Sequence, residues 1–499
     1  MNSTALNAVL EANIAALREK LNNSGDLIVR EFLIGSSAPA GAALFFIDGL
    51  ADSHSIHQFI LEPLMLQGAS PMASGASLPG RLKDSLLTVG QIGEIRSLDE
   101  LAESILSGKA ALLLQGWDFG FEIAMAGWER RNVSEPTNQT VVRGPKESFT
   151  ENLRTNTALI RRKIKDPALT LEERKIGRRT KTAVAMMFIQ GIASDSVVRE
   201  VRQRLDRIDT DAILESGYIE EFIQDEKITV FPTVQNSERP DSVAAALLEG
   251  HVALIVDGTP HVLVVPALFI QFMQASEDYY QRSDIGTLIR IIRYIGLFIA
   301  LFGPALYIAI TTFHQEMLPT QLLISLAAQR EGVPFPAFIE GLMMEITYEI
   351  LREAGIRMPR AVGQAVSIVG TLVIGQAAVE AGIVSPAMVI VVSITAISSF
   401  VVPQFNMSIS IRILRFPLMA LTASFGMFGL FIGGFALLLH LSGLRSFGVP
   451  YMSPVGPFHT GDLKDVILRA PHPSMRKRPS LLGKRNPVRQ SRRRGGGRR

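Results

Sequence analysis

The sequence predicts an α/β soluble N-terminal region of two similar subdomains, followed by an all-α polytopic membrane domain and a basic disordered tail. Two pairs of matching segments recur at one common offset in the N-terminal half. Long apolar runs dominate from about residue 290. The chain ends in the basic stretch Arg476–Arg499. The predicted domains are 1–140, 141–280, 285–445 and 446–499, with disorder from about residue 476.

Composition favours a membrane part over a wholly soluble protein. Of the 499 residues, 47% are hydrophobic and only 19% are charged, below the roughly 25% that is usual for soluble domains. The absence of cysteine excludes disulfides, thiolate-ligated metal sites and thiol catalysis. Arg476–Arg499 contains eleven Lys or Arg and no acid, which leaves −8 on the other residues from +3 overall. The positive charge therefore describes a tail and not a nucleic-acid-binding body.

The N-terminal half contains a sequence duplication. Ala43–Asp52 resembles Ala185–Ser194, and Gly108–Gly116 resembles Gly250–Gly258, each at an offset of 142. In both copies the second match follows a helical pattern and contains an apolar run that ends in a glycine turn. Alternating strands and helices predict two similar α/β subdomains that superpose through these segments.

The stretch Val252–Met273 is apolar enough to raise the question of a membrane span. It contains Asp257-Gly-Thr-Pro260, and turn residues would leave backbone groups unpaired in lipid. We therefore predict a β-hairpin here instead of a transmembrane helix.

A basic segment lies between the two copies. Ten Lys or Arg fall between Arg154 and Lys181. An exposed linker between subdomains is the favoured interpretation, and contact with anionic lipid or with an acidic face of a neighbouring subunit is the alternative.

Four apolar stretches are long enough to cross a bilayer. They are Tyr294–Phe313, Ala361–Val379, a helix from about Pro386 to Val402, and Phe416–Leu444. We predict that each crosses the hydrocarbon core, which needs about 20 residues of helix.

The stretch 316–360 allows two interpretations. Met317–Ala328 is apolar but short, and Phe335–Leu351 carries acids on an otherwise apolar helix, which favours a re-entrant or interfacial segment. The alternative is a tight pair of helices that raises the count from four spans to six. Either count is even and places both termini on one side, and the arginine-rich tail predicts that this side is cytoplasmic.

One predicted span carries a narrow stripe of small and polar side chains. Gln364, Ser367, Thr371 and Gly375 recur at spacings of three and four, opposite a row of valines. Close helix packing explains such a stripe as well as a water-lined path between several copies does. These four residues are the pore-lining candidates.

Four acids are candidates for the mouths of such a pore. Glu345, Glu349 and Glu353 lie on the helical pattern before the stripe, and Glu380 lies at its far end. Rings of carboxylates favour cations, whereas a solvated amphipathic face is the simpler interpretation.

No motif for enzyme chemistry occurs in the sequence. It has no phosphate-binding G-x-x-x-x-G-K-[ST] loop, no G-x-S-x-G elbow and no H-E-x-x-H helix. His54 and His57 lie near Asp48 and Asp52, but polar residues at a helix start explain them better than a metal site. The prediction is a protein that is not an enzyme and has no cofactor or metal.

Several long motifs resemble the A subunits of GerA-type spore germination receptors. Val142–Ile164 carries the strongest likeness, and further motifs follow in the family's order over almost the whole chain. They are Asp26–Phe32, Ile47–Gly49, Phe231–Asp241, Glu249–Gly258, Pro403–Asn406, Pro450–Pro454 and Asn486–Gln490. The extension Arg492–Arg499 lies beyond the pattern. The family also includes a paralogous sporulation protein of similar architecture.

The resemblance implies a multi-pass protein of the spore inner membrane that acts in germination. It implies partners, namely a transporter-like B subunit and a lipoprotein C subunit. It also implies a homo-oligomer, a pentamer, that conducts cations when a nutrient is sensed. A non-conducting scaffold or signalling subunit is the alternative that reconstitution would separate from a channel.

Overall fold

The structure is a computed structural model with two compact units. It describes residues 5–34, 40–66, 80, 82–83, 87, 89, 91–125, 127, 135–136, 139–359, 373–483 and 485–490. The N-terminal unit comprises Met1–Gln224, Val234–Pro266 and Met475–Arg499, and the helical unit comprises Asp225–Thr233 and Ala267–Ser474.

The first half of the N-terminal unit is an antiparallel sheet covered by helices. Its strands are β1 (Leu27–Ile34), β2 (Ala40–Ile47), β3 (Ile92–Ile95), β4 (Ala110–Leu114) and β5 (Gly120–Ile123), in the order β1-β2-β4-β5-β3. Its helices are α1 (Leu10–Lys20), α2 (Ser53–Ile56), a π-helical turn His57–Leu61, α3 (Glu62–Leu66) and α4 (Leu98–Leu106). Phe45 on β2 packs against one core cluster and the adjacent Leu44 against another. The strand therefore reads as a continuous apolar run because both of its faces are buried.

The second half repeats this arrangement. Its strands are β6 (Leu169–Ile176), β7 (Thr182–Ile189), β8 (Gln235–Ser237), β9 (Val252–Val256) and β10 (Val262–Val265), in the order β6-β7-β9-β10-β8. Its helices are α5 (Leu153–Lys163), α6 (Asp195–Asp206), α7 (Ser216–Ile223) and α8 (Pro240–Glu249). The strand order is the same in both sheets, and β9 and β10 form the hairpin that the turn residues predict.

The same buried polar contact fixes the start of α1 and of α5. The Asn13 side chain accepts from the Asn7 N–H at 2.8 Å and donates back to the Asn7 carbonyl at 2.6 Å. Asn156 makes the matching pair of bonds with Thr150, at 2.7 and 2.6 Å. The repeat therefore extends to the helix that precedes each sheet, where the offset is 143 because the following loop is one residue longer in the first copy.

The interpretation of the basic segment as an exposed linker is wrong for Arg161, which is buried. The segment forms α5 and the edge strand β6 of the second sheet. Arg161 on α5 is 1% exposed and pairs with Asp26. Its charge is buried because a partner carboxylate from the first copy neutralises it.

The tail is packed on the N-terminal unit as far as residue 490, so the predicted disorder from 476 does not hold there. Arg478 donates through Nε to the Leu248 carbonyl at 2.8 Å, and Arg489 pairs with Glu249. Both arginines meet the C-terminal end of α8, where cations are favoured. Leu482 is buried. The extension 491–499 lies outside the described residues.

Helix α7 carries an acid with a raised pKa, which predicts a pH dependence. Burial and the nearby charge of Glu215 raise the pKa of Glu220 to about 7. The folded state therefore binds more protons than the unfolded state, and stability falls as the pH rises from about 4.5 to about 7. The expected loss is about 1–3 kcal/mol.

Hydrogen exchange of the α7 amides between pH 5 and 8, corrected for intrinsic rates, measures this dependence. Glu220→Gln should remove it and should slow exchange at the upper end of the range. An unchanged pH profile in Glu220→Gln would show that Glu220 is not its source.

The helical unit is built from long helices. It contains a 3₁₀ turn Phe269–Met273, α9 (Glu277–Tyr280), α10 (Ser283–Thr312), a 3₁₀ turn Gln315–Met317, α11 (Thr320–Arg330), α12 (Ala337–Arg357), α13 (Pro386–Phe400) and α14 (Phe405–Gly443). Residues 373–380 are also helical. It closes with the short strands β11 (Arg445–Ser446) and β12 (Val449–Pro450) and the 3₁₀ turns Leu463–Asp465 and His472–Ser474. Among the described residues, α10 and α14 are long and apolar enough to cross a membrane, and α13 is a shorter apolar helix.

Helix α14 is a hairpin of two arms and not one straight rod. Gly426 has φ +60° and ψ −142°, which breaks the helix. Ser410 in the first arm donates to the carbonyl of Val230, and His440 in the second contacts the neighbouring Thr229. The two arms, 405–425 and 427–443, therefore run antiparallel.

The predicted span Phe416–Leu444 is therefore not one straight crossing. A side chain at Gly426 would lie 2.9 Å from Phe313, and the backbone there has the positive φ that glycine adopts most readily. The chain therefore reverses direction where the sequence pattern continues uninterrupted.

Helix α10 starts before the apolar run that predicts it. Arg290 and Arg293 lie inside the helix, and both pair with Asp278, which is 0% exposed in its side chain. Arg290 also pairs with Asp465 at 2.7 Å. These charges can be buried because they are paired with one another. The helix can therefore begin before the uncharged stretch.

Candidate functional site

A row of glutamates on α12 meets arginines from α11, from the first arm of α14 and from α12 itself. Glu340, Glu345 and Glu349 recur at spacings of five and four residues and lie towards the neighbouring helices. Their cationic neighbours are Arg330, Arg352, Arg412 and Arg415. We call these seven residues the charge network.

The innermost pair of the network is Glu345 with Arg415. Glu345 is 0% exposed and Arg415 is 1% exposed. Arg415 donates through Nη1 to a Glu345 carboxylate oxygen and through Nε to the Ala300 carbonyl of α10 at 2.8 Å. The pair therefore joins α12, the first arm of α14 and α10 by charge-assisted hydrogen bonds.

The next turn of α12 holds the second pair. Glu349 accepts from Arg412 Nη1 at 2.6 Å and lies 3.5 Å from Arg352 Nη1. Arg352 lies over the rings of Tyr348 and Phe400, at 4.9 and 4.7 Å from their centroids. Stacking on these two rings holds Arg352, the second cation beside the Glu349 carboxylate.

Glu340 closes the row at the start of α13. Its carboxylate accepts from the Ser385 N–H at 2.9 Å and from the Ser385 hydroxyl at 2.8 Å. Ser385 is the residue before α13, so the negative charge lies at the helix end that favours anions. Arg330 approaches the other carboxylate oxygen at 3.4 Å.

Counted together, the network has three carboxylates and four guanidinium groups. Charges inside a membrane domain are costly unless they are paired and face the interior of the bundle. The network meets both conditions, so it explains how α12 and α14 carry charges at positions surrounded by apolar residues. Its direct effect is to fix the helices against one another.

The structure places the predicted pore residues only in part. Gln364, Ser367 and Thr371 lie outside the described residues. Gly375 is buried, and a Cβ atom there would lie 3.6 Å from a methyl group of Val389 on α13. The pore-lining role of these four residues stays a prediction.

The predicted pore-mouth acids fall into two groups. Glu345 and Glu349 belong to the charge network and are paired with arginines of the same chain. Glu353 is exposed and pairs with Arg357 at 2.7 Å. Glu380 is exposed and accepts from Gln376 at 2.8 Å. Only Glu353 and Glu380 have the exposure that a pore mouth needs, and their role also stays a prediction.

Sequence reasoning missed the arginines. Arg412 and Arg415 separate two long uncharged runs, a pattern that predicts a break between two spans. In the structure they lie inside the first arm of α14. A three-residue spacing matched to the acids Glu345 and Glu349 was the available signal, since both sets repeat at about one helical turn.

His54 and His57 do not form a metal site with the nearby acids. Asp52 caps α2, accepting from the His54 N–H at 3.0 Å and from the Ser55 hydroxyl at 2.5 Å. The Ser55 hydrogen bond lowers the pKa of Asp52 below its ordinary value. Within the described part of the chain, no three His, Asp or Glu side chains are grouped closely enough to hold a metal ion.

Comparison with known proteins places the chain. The family model of the Bacillus/Clostridium GerA spore germination protein matches residues 15–481. Spore germination protein KA of Bacillus subtilis is 50% identical over 481 residues, covering 96% of this chain and 88% of that protein. The chain belongs to the GerA family of spore germination proteins.

Two further proteins are similar to this chain. Stage V sporulation protein AF of Bacillus subtilis is 32% identical over 449 residues, covering 90% of each chain. The crystal structure of the N-terminal domain of the A subunit of the Bacillus megaterium spore germinant receptor GerK3 is 39% identical, with a TM-score of 0.43. It covers 54% of this chain and 99% of that domain.

Several motifs that carry the GerA resemblance coincide with buried polar contacts. In Asp26–Phe32 the first residue pairs with Arg161, which lies in the motif Val142–Ile164. In Pro450–Pro454 the Tyr451 hydroxyl donates to the Pro232 carbonyl at 2.9 Å. These motifs therefore include positions where polar side chains are buried and hydrogen-bonded within the chain.

Proposed function

We propose that this chain is the A subunit of a nutrient germinant receptor, which triggers germination from the spore inner membrane. The observation that carries the proposal is the GerA family match over residues 15–481. The names of the two Bacillus subtilis relatives described above refer to germination and to sporulation.

We further propose that several copies assemble into a cation channel, a pentamer, together with a transporter-like B subunit and a lipoprotein C subunit. The long apolar helix α10 and the two largely apolar arms of α14 support insertion in the membrane. The charge network supports it as well, because each of its carboxylates is paired with an arginine of the same chain. Both termini would lie in the cytoplasm, in agreement with the arginine-rich tail.

In this channel Gln364, Ser367, Thr371 and Gly375 would face the central axis, and Glu353 and Glu380 would lie at the two mouths. The polar stripe supports this arrangement because water satisfies hydrogen bonds that lipid would leave unmade. The family to which the chain belongs favours the water-lined interpretation over packing alone.

Enlarging one stripe residue tests the channel. Thr371→Phe should abolish cation flux through the reconstituted receptor while leaving the yield of complex unchanged, because one ring from every copy would crowd one axis. Ser367→Ala is the matched control, and it should assemble and conduct almost normally. Flux and complex yield are measured on the same preparation, with and without the B and C subunits.

Two outcomes would contradict this arrangement. Full assembly with undiminished flux in Thr371→Phe would remove the stripe from the pore. Loss of the complex itself would instead show that the stripe is a packing surface between helices.

A second function is favoured by the match to Stage V sporulation protein AF, which extends over 90% of both chains. This second function is that of a paralogous sporulation membrane protein. A non-conducting scaffold or signalling subunit of the receptor complex is a separate alternative. Deleting the gene separates the alternatives. Loss of a germinant receptor subunit should leave spore formation intact and abolish the response to a nutrient, whereas loss of a sporulation protein should impair spore formation.

A further inference from the structure

In the N-terminal unit, loops of the first copy of the repeat pack on a helix and a strand of the second copy. The repeat provides an equivalent pair of surfaces, which is not used within the chain. Within the chain, α5 and β6 of the second copy are covered by two loops of the first. The loop before β1 contributes Ser24 and Asp26, and the loop after β2 contributes Asp48 and Gly49.

The covered side is tightly packed and charge-paired. Arg161 donates to Asp26 through Nε at 2.7 Å and to the Ser24 hydroxyl through Nη2 at 2.8 Å. A Cβ atom on Gly49 would lie 3.3 Å from the Cβ of Ala158. Arg154 pairs with Asp48 at 3.1 Å.

The Arg154 guanidinium lies between carboxylates of both copies, Glu173 on β6 and Asp48 after β2. Burial acts against its charge, but the carboxylates of Glu173 and Asp48 raise the pKa of this guanidinium above its ordinary value.

The equivalent face of the first copy is open. Because of the shared asparagine contact, the offset of 143 maps Arg154, Ala158 and Arg161 onto Glu11, Ala15 and Arg18. All three are exposed. They line a surface pocket of about 420 Å³ with Glu31 of β1, the counterpart of Glu173.

The equivalent loops of the second copy are open as well. Gly191 corresponds to Gly49 and has almost the same φ, +82° against +81°. A Cβ atom on Gly191 would meet no described atom within 4 Å, whereas one on Gly49 meets α5. Gln190, the counterpart of Asp48, is exposed, and so is Asp166 in the loop before β6.

The charges of the two open faces suit one another. Where the internal contact pairs Arg154 with Asp48, the open faces offer Glu11 and Gln190, whose amide can donate to the carboxylate. By the strand offset of 142, Asp166 takes the place of Ser24 and Ala168 takes the place of Asp26. Arg18 would therefore meet Asp166, one carboxylate oxygen of which accepts from the Ala168 N–H at 2.8 Å. In the internal contact Gly25 donates its N–H to the Leu171 carbonyl at 2.8 Å. Pro167 takes the place of Gly25 and has no N–H, so the second contact would be a close variant of the first and not an identical copy.

We propose that the loops Asp166–Ala168 and Gln190–Gly191 of one chain dock into the Glu11–Arg18 face of a second copy of this chain. The contact joins two different surfaces, so it repeats head to tail and closes into a ring where the rotation per copy allows. It deepens the proposed assembly, on which its biological setting rests, by naming the surfaces through which neighbouring A subunits meet.

Paired cysteines in this cysteine-free chain test the contact. The test variant combines Ala15→Cys with Gly191→Cys, and the control combines Ala158→Cys with Gly49→Cys at the equivalent internal positions. The Cβ separation of the control pair, 3.3 Å, lies just under the 3.5–4.5 Å that suits a disulfide. Both glycines have almost the same positive φ, so the backbone strain of the two substitutions is matched.

Full-length protein in membranes is oxidised and run on non-reducing gels. The control pair should close within one chain and migrate as a compact monomer. The test pair should give a ladder of covalent oligomers, and differently tagged single variants should cross-link only when Ala15→Cys and Gly191→Cys chains are mixed.

A test pair that stays monomeric while the control pair closes would overturn the proposal, as would cross-linking of Ala15→Cys chains with one another. If the test pair does not cross-link but the receptor conducts cations, this interface is wrong and the proposed channel is still supported. Cross-linked rings that do not conduct would support the interface and contradict the channel.

Discussion

Replacing Arg415 by Met should destabilise the helical unit by about 3–5 kcal/mol, because it leaves the Glu345 carboxylate buried without its cation. Glu345 is 0% exposed, so water cannot replace the lost partner. The variant also removes the hydrogen bond to the Ala300 carbonyl of α10. For a unit of this size we expect the unfolding midpoint in detergent to fall by about 10 °C.

A second substitution separates lost charge pairing from lost packing. The double variant Arg415→Met with Glu345→Gln contains no unpaired charge and should recover most of the stability, with a coupling energy of at least about 1 kcal/mol. Arg357→Met is the matched control, since the Arg357–Glu353 pair is exposed and such pairs contribute about 0–1 kcal/mol. Equal midpoints for Arg415→Met and Arg357→Met would show that the charge network is not structural.

The sequence predicted the apolar helices of this unit better than it predicted their limits. Along the chain, Arg412 and Arg415 mark the end of an apolar run, because an unpaired charge cannot stay in lipid. Their partners lie some 65 residues earlier on α12, and a linear pattern does not reveal such pairing. The reversal at Gly426 was missed for a similar reason, because glycine is common in straight membrane helices.

The N-terminal unit was more predictable because its sequence is repeated. Two short matches at one offset were sufficient to predict that the second half has the topology of the first, since equal patterns of turns and buried strands favour equal sheets. The offset could not reveal where the copies differ. Arg161 and Arg18 are equivalent in position, yet one is buried and the other exposed, because only the second copy has a neighbour packed on it.

Because Arg161 is buried and Arg18 is exposed at equivalent positions, Arg18 provides an internal control for a substitution of Arg161. Arg161→Met should destabilise the N-terminal unit by about 3–5 kcal/mol, because Asp26 is 1% exposed and would keep a buried charge without a partner. Arg18→Met, the same change at the equivalent position of the first copy, should alter the stability of the unassembled chain by no more than about 0.5 kcal/mol, because Arg18 is exposed there.

Hydrogen exchange of the β1 and β6 amides in the full-length chain measures both variants. At about 1.4 kcal/mol per tenfold change, Arg161→Met should speed exchange from the native state by about 100-fold or more. Adding Asp26→Asn should restore much of the protection, since it removes the unpaired charge while its amide still bonds to Ser24. If Arg161→Met and Arg18→Met exchanged at the same rate, the buried pair would not be what holds the two copies of the repeat together, and the head-to-tail contact inferred from that pair would lose its physical basis.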